Sequence, residues 1–341
     1  MSGSAFPYAS QLRAELILRN RIFAQAHPHV ESYGANPVIV YAPSLGLHGN
    51  FFPPAFRAIA ARPEWMRRFD KIHSQSRSLP KSLHDSARKW RELDSSMSSD
   101  ALLMNIFCTP GVIDSAPLRR MLGIDSHDAP PVFGWKARVP LANGRVDRTE
   151  VDMRWGNLLV EAKLTESDFQ CRESPLVESY RDLDEVFDRA LLPRVPMRIR
   201  RRRQAVEFAE EFTQEWEAPG KDSEEVAHAF QSEIEARADA EQPWSSGYAS
   251  YQLIRNVLAA HAAESSFCVI HDHRRPDLAD AWFEIMRAVK TANMRARCKV
   301  LTWQELAPWL PPRLCGFLDR KYGIVPPGSA ASPVRDFDMP Q

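Results

Sequence analysis

The chain has 341 residues, of which 44% are hydrophobic and 26% charged, a composition that predicts an ordinary globular protein with a sizeable core in one large or two small domains. Its net charge of +0 excludes a global basic surplus, although a local nucleic-acid-binding patch stays possible. The lack of a long apolar run or signal-peptide pattern predicts a cytoplasmic protein without a membrane segment, and five cysteines without a C-x-x-C pair argue against zinc ribbons and iron–sulfur clusters.

The first part of the chain, residues 1–94, is predicted to be a mostly helical N-terminal extension. Residues 10–26 and 55–93 have helical patterns, and a short strand is expected at Pro37–Tyr41. No motif that indicates a function was found in this part.

A helix and a strand precede the most informative stretch. Ser98 or Ser99 can cap a helix over 101–107, and Pro110-Gly111 ends it. A strand is predicted over 132–139, and a turn follows at Asn143-Gly144.

The stretch from Thr149 to Leu164 reads as a β-hairpin. Gly156-Asn157 between two apolar runs is a two-residue turn signal, so Trp155 should pair with Leu158. Continued along the strands, this register places Asp152 opposite Glu161 and Glu150 opposite Lys163.

Alternation then divides the hairpin into two faces. One is a core face, with Val151, Met153, Trp155, Leu158, Val160, Ala162 and Leu164. The other carries Glu150, Asp152, Arg154, Leu159, Glu161 and Lys163. Two opposed carboxylates repel each other unless a cation lies between them, and Mg²⁺ binds proteins through one or two carboxylates plus substrate phosphate. The pattern therefore predicts metal-assisted phosphodiester cleavage, with a solvated strand face decorated by charges as the plain alternative.

A second acid-x-lysine triplet, Asp319-Arg320-Lys321, tests how specific this signal is. It lies in a segment with helical spacing and has no acidic strand before it. We therefore interpret it as unrelated to catalysis.

Residues 172–243 are rich in charge and poor in strand-forming residues, and they are predicted to form a helical insertion or lid. A basic cluster within it contains Arg194, Arg198, Arg200, Arg201, Arg202 and Arg203. It is either a phosphate-contacting patch or a solvated helix face paired with the glutamates that follow.

Regular elements return after Pro243. The pattern predicts a helix that contains Tyr251–Leu258 and follows Ser245 or Ser246, a strand at 267–270, a helix over 277–292, a strand at 299–301 and a short helix at 304–310. The end of the chain, residues 326–341, is expected to be disordered.

Element order and motif together resemble the PD-(D/E)xK nuclease superfamily, and in particular a bacterial branch of it. The resemblance rests on Asp152 before Glu161-Ala162-Lys163, and on the stretches 98–105, 164–169 and 251–256. It covers residues 95–325, interrupted by the 172–243 insertion, while Val151 stands where many members have proline. It implies an α/β fold with a restriction-endonuclease-like core, in which a central mixed β-sheet is flanked by helices in the order αβββαβ.

The resemblance also implies roles. Asp152, Glu161 and the backbone carbonyl of Ala162 would bind Mg²⁺ or Mn²⁺, and Lys163 would orient or deprotonate the attacking water. Accessory roles fall on four residues. Glu150 would hold Lys163 or join a second metal, Gln252 and Arg255 would face the site from one helix, and Asn105 would be a buried structural amide or a support behind the carboxylates.

The expected partner is nucleic acid, with DNA favoured over RNA, and no membrane. One alternative is a nuclease fold kept as a catalytically inactive binding or assembly module. Another is a zinc hydrolase built on His271 and His273. The sequence leaves open the substrate specificity, endo- or exonuclease action, the pathway and the oligomeric state.

Overall fold

A computed structural model describes residues 7–32, 37–72, 91–148, 150–198 and 244–333. Its α-helices are α1 (Pro7–Ala24), α2 (Pro53–Ala60), α3 (Pro63–Met66), α4 (Ser99–Phe107), α5 (Ala116–Leu122), α6 (Ser174–Val177), α7 (Leu183–Val186), α8 (Tyr251–Ala262), α9 (Pro276–Ala288), α10 (Ala292–Arg297), α11 (Trp303–Leu306) and α12 (Pro312–Tyr322). Its strands are β1 (His29–Glu31), β2 (Ile39–Tyr41), β3 (Pro43–Ser44), β4 (Leu47–His48), β5 (Val132–Lys136), β6 (Val139–Pro140), β7 (Val146–Asp147), β8 (Glu150–Trp155), β9 (Leu158–Ala162), β10 (Arg172–Glu173), β11 (Arg194–Arg198), β12 (Trp244–Tyr248), β13 (Ser266–His271) and β14 (Cys298–Thr302).

A five-stranded sheet lies at the centre, in the order β14-β13-β9-β8-β5. The pairs β5–β8 and β8–β9 are antiparallel, whereas β9–β13 and β13–β14 are parallel. Along the chain, α4, β5, β8, β9, α8 and β13 follow the predicted αβββαβ order, with shorter elements inserted between them. The prediction of an α/β fold with a central mixed sheet is therefore confirmed.

Both faces of this sheet are covered. Successive residues of β9 and β13 belong in turn to two different buried clusters: Val160 and Cys268 to the first, Leu159 and Val269 to the second. Because strand side chains alternate between faces, the two clusters are the two helix-covered sides of the sheet. This explains why every residue of β9 is buried, including the charged residue Glu161.

The N-terminal part packs on the same core as the sheet. Leu16 of α1, Phe56 of α2 and Trp65 of α3 belong to the cluster that contains Met153 and Trp155 of β8. α1 also packs against α12, and Asn20 donates to the backbone carbonyl of Lys321 at 3.2 Å. Residues before 95 thus help to build the environment of the hairpin.

The prediction of a purely helical insertion over 172–243 is wrong for its described part. Residues 172–198 include the short helices α6 and α7, but β10 and β11 also flank β12 in a three-stranded antiparallel sheet. Pro196 is tolerated because β11 is an edge strand. Strand β11 was not predicted because the segment is rich in charge and its partner strand lies some fifty residues further along the chain. Ser245 and Ser246 belong to that partner strand, β12, and do not cap a helix.

The expected disorder of the C-terminal tail does not extend to Ser332. Its hydroxyl donates to Asp319 at 2.6 Å, and its carbonyl accepts from Arg19 at 3.0 Å. Among the described helices, none is both long and apolar enough to span a bilayer.

Candidate active site

The hairpin forms with the predicted turn, and the predicted register is confirmed for the three pairs next to that turn. Trp155 pairs with Leu158, Arg154 with Leu159 and Met153 with Val160. Gly156 has φ of +52°, which favours glycine, and a Cβ at this position would have to displace the carboxylate of Asp128. This local signal was strong enough to fix the register from sequence.

Beyond Met153 the hairpin departs from a regular ladder. Asp152 Oδ2 accepts a hydrogen bond from the backbone N–H of Ala162 at 2.8 Å. Val151, predicted on the same face as Met153 and Trp155, belongs to the opposite cluster with Leu159. The alternation therefore fails at Asp152, next to Gly134 of β5, whose φ is +64°.

Lys163 pairs with Glu161 and not with Glu150. Its Nζ donates to Glu161 Oε1 at 2.8 Å, and both side chains are about 95% buried. Burial by itself would lower the pKa of Lys163, but the carboxylates of Glu161, Glu166 and Asp152 raise it above its ordinary value. The predicted contact between Glu150 and Lys163 is thus wrong, because the Lys163 side chain turns toward its own strand neighbour.

Asn256 completes the partners of Glu161. Its Nδ2 donates to Glu161 Oε2 at 2.8 Å from helix α8. Gln252 and Arg255 of this helix are predicted to face the site, but the hydrogen bond to Glu161 comes from Asn256, the residue after Arg255. Gln252 Oε1 and Arg255 Nε are buried without a hydrogen-bond partner within the described residues, and the Arg255 guanidinium lies 5.4 Å from the ring centroid of Tyr251.

Asn105 links helix α4 to the backbone just before α2. It is fully buried, donates to the carbonyls of Asn50 and Ala101 at 3.0 and 2.8 Å, and accepts from the backbone N–H of Phe52 at 2.6 Å. These bonds satisfy the hydrogen-bonding groups of the amide within its own surroundings, as expected for a buried structural residue.

Asp152 lies in a strongly acidic environment. Burial raises the pKa of its carboxyl well above the ordinary value, and the carboxylates of Glu161 and Asp100 raise it further. The charge of Lys163 and the hydrogen bond from Ala162 oppose this rise but do not cancel it, so the charged form of Asp152 is disfavoured.

Two residues that sequence analysis missed, Arg68 and Asp100, stand beside Asp152. Arg68 Nη2 donates to Asp100 Oδ2 at 2.6 Å, and Arg68 Nη1 donates to Glu150 Oε1 at 2.5 Å. Arg68 Nη2 also lies 3.9 Å from Asp152 Oδ1. Asp100 had a weak signal, since it stands in the first turn of α4 after the Ser98 cap, whereas Arg68 lies 82 residues before Glu150 and had none.

The loop after Lys163 is held by the elements around it. Arg275, fully buried, donates to the carbonyls of Glu166 and Ser167 at 2.7 and 3.0 Å. Trp303 Nε1 donates to the carbonyl of Lys163 at 2.9 Å, and Ser99 donates to Glu166 at 2.6 Å. These bonds fix the backbone on which Lys163 stands.

The oxygen atoms available at this site are of the kind that a hard divalent cation prefers. Asp152 and Glu161 offer carboxylate oxygens. The pKa of Asp152 is raised first by burial and then by repulsion from Glu161 and Asp100, and a bound cation would relieve that repulsion. The described residues contain no ready-made group of three or more His, Cys, Asp or Glu side chains that could hold a metal ion. Water and phosphate oxygens would therefore have to complete the coordination, as is usual for Mg²⁺.

The histidines of the zinc alternative do not form a metal site. His271 is buried, with Nδ1 2.8 Å from the carbonyl of Asp272, and the Asp272 carboxylate is bound by Arg274 at 2.6 Å. His273 is exposed. The structure thus gives the zinc hydrolase no support within the described residues.

The basic cluster of the insertion can be placed only in part. Arg200, Arg201, Arg202 and Arg203 lie outside the described residues. Arg194 lies over the Tyr248 ring at 3.9 Å and pairs with Glu178 at 3.3 Å. That arginine therefore has a structural role in the three-stranded sheet.

Glu92 titrates near neutral pH. Burial, the largest cause, raises its pKa to about 7; Lys71 opposes the rise, and the carboxylates of Asp100 and Glu166 add to it. Because the folded state binds this proton more tightly than the unfolded state, its stabilising effect is full below pH 4.5 and is lost as the pH rises through about 7.

We therefore expect Glu92→Gln to raise the thermal stability at about pH 8, by roughly 1–3 kcal/mol, and to change it little at about pH 4. Thermal unfolding of wild type and variant across this pH range measures the difference. Glu64→Gln, at an exposed position of α3, is the control and should change the thermal stability little. A Glu92→Gln effect that stays constant across the range would contradict the assignment.

The family of the chain follows from a comparison with known families. A family model described as "Restriction Endonuclease associating with ARP" matches residues 18–323. The chain belongs to this family. The match begins well before residue 95, where the sequence resemblance started, so the family includes the segment that supplies Arg68. Neither the curated proteins nor the solved structures contain a match to the chain.

Membership of this restriction-endonuclease family gives the hairpin a nuclease-related context. The site residues themselves rest on the geometry above, because the family description names none of them.

Proposed function

We propose that this chain is a nuclease that hydrolyses phosphodiester bonds, with DNA as the expected substrate and Mg²⁺ or Mn²⁺ as cofactor. The observation that supports this most directly is the buried Lys163–Glu161 pair beside Asp152, on the central hairpin of a restriction-endonuclease family member. At this position, a lysine could stabilise negative charge on a phosphate, and a carboxylate could help to position the attacking water.

Asp152, Glu161 and the carbonyl of Ala162 would hold the divalent ion. Bound there, the ion would supply Lewis-acid polarisation of the phosphate and a lowered pKa for a water ligand. Glu161 is kept in place from both sides by Lys163 and Asn256, so its orientation is fixed before substrate arrives.

Lys163 would orient the water and stabilise the charge that develops on the phosphate. The raised pKa of Lys163 keeps its ammonium charged at neutral pH, which favours this role over proton abstraction. Proton removal would then fall to solvent or to a substrate phosphate oxygen.

The test is a cleavage assay on the full chain. We expect nicking or cleavage of supercoiled, linear or single-stranded DNA with Mg²⁺ or Mn²⁺, and none with EDTA. The family description names an association with ARP, so we propose ARP as a partner and run the assay with and without it. Absence of metal-dependent cleavage on all these DNAs and on RNA, with ARP present, would refute the nuclease proposal and leave a binding or assembly module.

A further inference from the structure

One arginine lies among three carboxylates at the edge of the proposed metal site. The Arg68 guanidinium binds Asp100 and Glu150 directly and lies 3.9 Å from Asp152. Its side chain is only 5% exposed. We call Arg68, Asp100, Glu150 and Asp152 the Arg68 cluster.

The sheet contains a slot for this guanidinium. Gly134 of β5 has φ of +64°, and a Cβ at that position would lie 2.4 Å from Arg68 Nη1. Any side chain at residue 134 would therefore push the guanidinium away from the carboxylates. The glycine backbone of strand β5 thus leaves the space that Arg68 needs to reach the carboxylates.

The charge balance of the cluster depends on Arg68. Among the described residues, Lys71 is the other cation in contact with Asp100 and Glu150, at 3.4 Å and 3.5 Å, but its side chain is 41% exposed. Without Arg68, the carboxylates of Asp100 and Glu150 would face only the half-exposed Lys71 among the described cations, and Asp152 would keep only the charge of Lys163. Carboxylates so arranged either take up protons or bind a cation.

We propose that the positively charged Arg68 guanidinium occupies the position at which Asp100, Glu150 and Asp152 would otherwise bind a second divalent ion. The site then binds one divalent ion per chain, at Asp152 and Glu161. This inference rests on the proposed function, since it presupposes that first ion. It assigns Glu150 to Arg68 and not to a second metal.

The test counts Mn²⁺ ions bound to the full chain without nucleic acid, by calorimetry and by the electron paramagnetic resonance signal of free Mn²⁺. We expect one ion for the wild type and two for Arg68→Met, which keeps an apolar stem and removes the charged guanidinium. Arg68→Lys keeps the charge and should bind one ion. We also expect Mn²⁺ to raise the Tm of Arg68→Met more than that of the wild type, because ligand binding to the folded state stabilises it.

A pair of glycine variants covers the case in which Arg68→Met does not fold. Gly134→Ala displaces the guanidinium and should bind the second ion. Gly144→Ala suffers the same backbone strain, with φ of +79°, but a Cβ there meets nothing within 4 Å, so it should bind one ion.

The outcomes separate the two proposals. One ion in the wild type and still one in Arg68→Met or Gly134→Ala overturns the role of Arg68 and leaves the nuclease proposal standing. Two ions in the wild type also overturn it. A wild type that binds no Mn²⁺ overturns both this inference and the metal site on which it rests.

Discussion

Replacing Lys163 with methionine should abolish most of the cleavage activity, with kcat reduced by about 10²–10³-fold through loss of one preorganised cationic donor. The same change leaves Glu161 buried without its ion-pair partner, which costs on the order of 3–5 kcal/mol of stability. Cleavage is therefore measured below the Tm of the variant, with circular dichroism to confirm that it is folded.

Lys321→Met is the matched control for this variant. Lys321 is also fully buried and also ends an acid-x-lysine triplet, but its Nζ donates to Asn20 at 2.6 Å and lies 4.0 Å from the Tyr41 ring centroid. Burial lowers the pKa of Lys321 well below its ordinary value, and Asp319 binds Ser332 instead. Activity should therefore be unchanged in Lys321→Met. Equal activity of Lys163→Met and wild type would exclude the proposed role of Lys163.

Asp152→Asn should also remove cleavage, and it should do so without loss of stability. The amide oxygen of the variant could still accept the hydrogen bond from Ala162, but the side chain would offer no negative charge to a divalent ion. We expect Mn²⁺ binding to weaken by roughly tenfold or more, since metal ligands contribute at least as much as the groups that orient them.

The stability of Asp152→Asn follows from the direction of the pKa shift. Burial and the Glu161 charge raise the pKa of Asp152 in the folded state, so the stabilising effect of its proton is present below the unfolded pKa and is lost as the pH rises. At about pH 8 in EDTA, removal of this carboxylate should therefore keep the Tm or raise it. A lower Tm together with unimpaired Mn²⁺ binding would contradict both the electrostatic argument and the metal assignment.

Asp168→Asn is the control for this second prediction. The Asp168 carboxylate also accepts one backbone N–H, from Gln170 at 2.6 Å, and lies in the loop after the hairpin. This variant should cleave DNA and bind Mn²⁺ as the wild type does.

The two acid-x-lysine triplets show why the period of an element matters for prediction. Glu161 is in strand β9 and Lys163 directly follows its last residue. In extended backbone, residues two apart share a face, so their side chains meet at 2.8 Å. On helix α12, residues two apart point in different directions, so Asp319 and Lys321 find separate partners. The prediction that the second triplet lies in a helix is confirmed, because its helical spacing can be recognised in the sequence.

Prediction was weaker wherever the partners are distant in sequence. Asn256 rather than Gln252 or Arg255 binds Glu161, because the rotation of α8 against the sheet is set by packing and not by the helix itself. Val151 packs on the face of the sheet opposite to the predicted one. The irregular backbone lies at Gly134 of β5 and Asp152 of β8, and these two strands are distant in sequence and pair only in the folded protein. The strand Arg194–Arg198 was missed for the same reason, since its partner β12 lies beyond Pro243.

The sequence by itself determined the hairpin, its register from Trp155 to Met153 and the acid-x-lysine strand, because a two-residue turn and side-chain alternation are local properties. Only the tertiary structure decided which charges surround Asp152. Arg68 and Asp100 arrive from the N-terminal segment and from α4, and Gly134 supplies the space for the guanidinium. The physical reason is that electrostatic partners are chosen by distance in space, and burial in a common core brings together residues that the chain order keeps far apart.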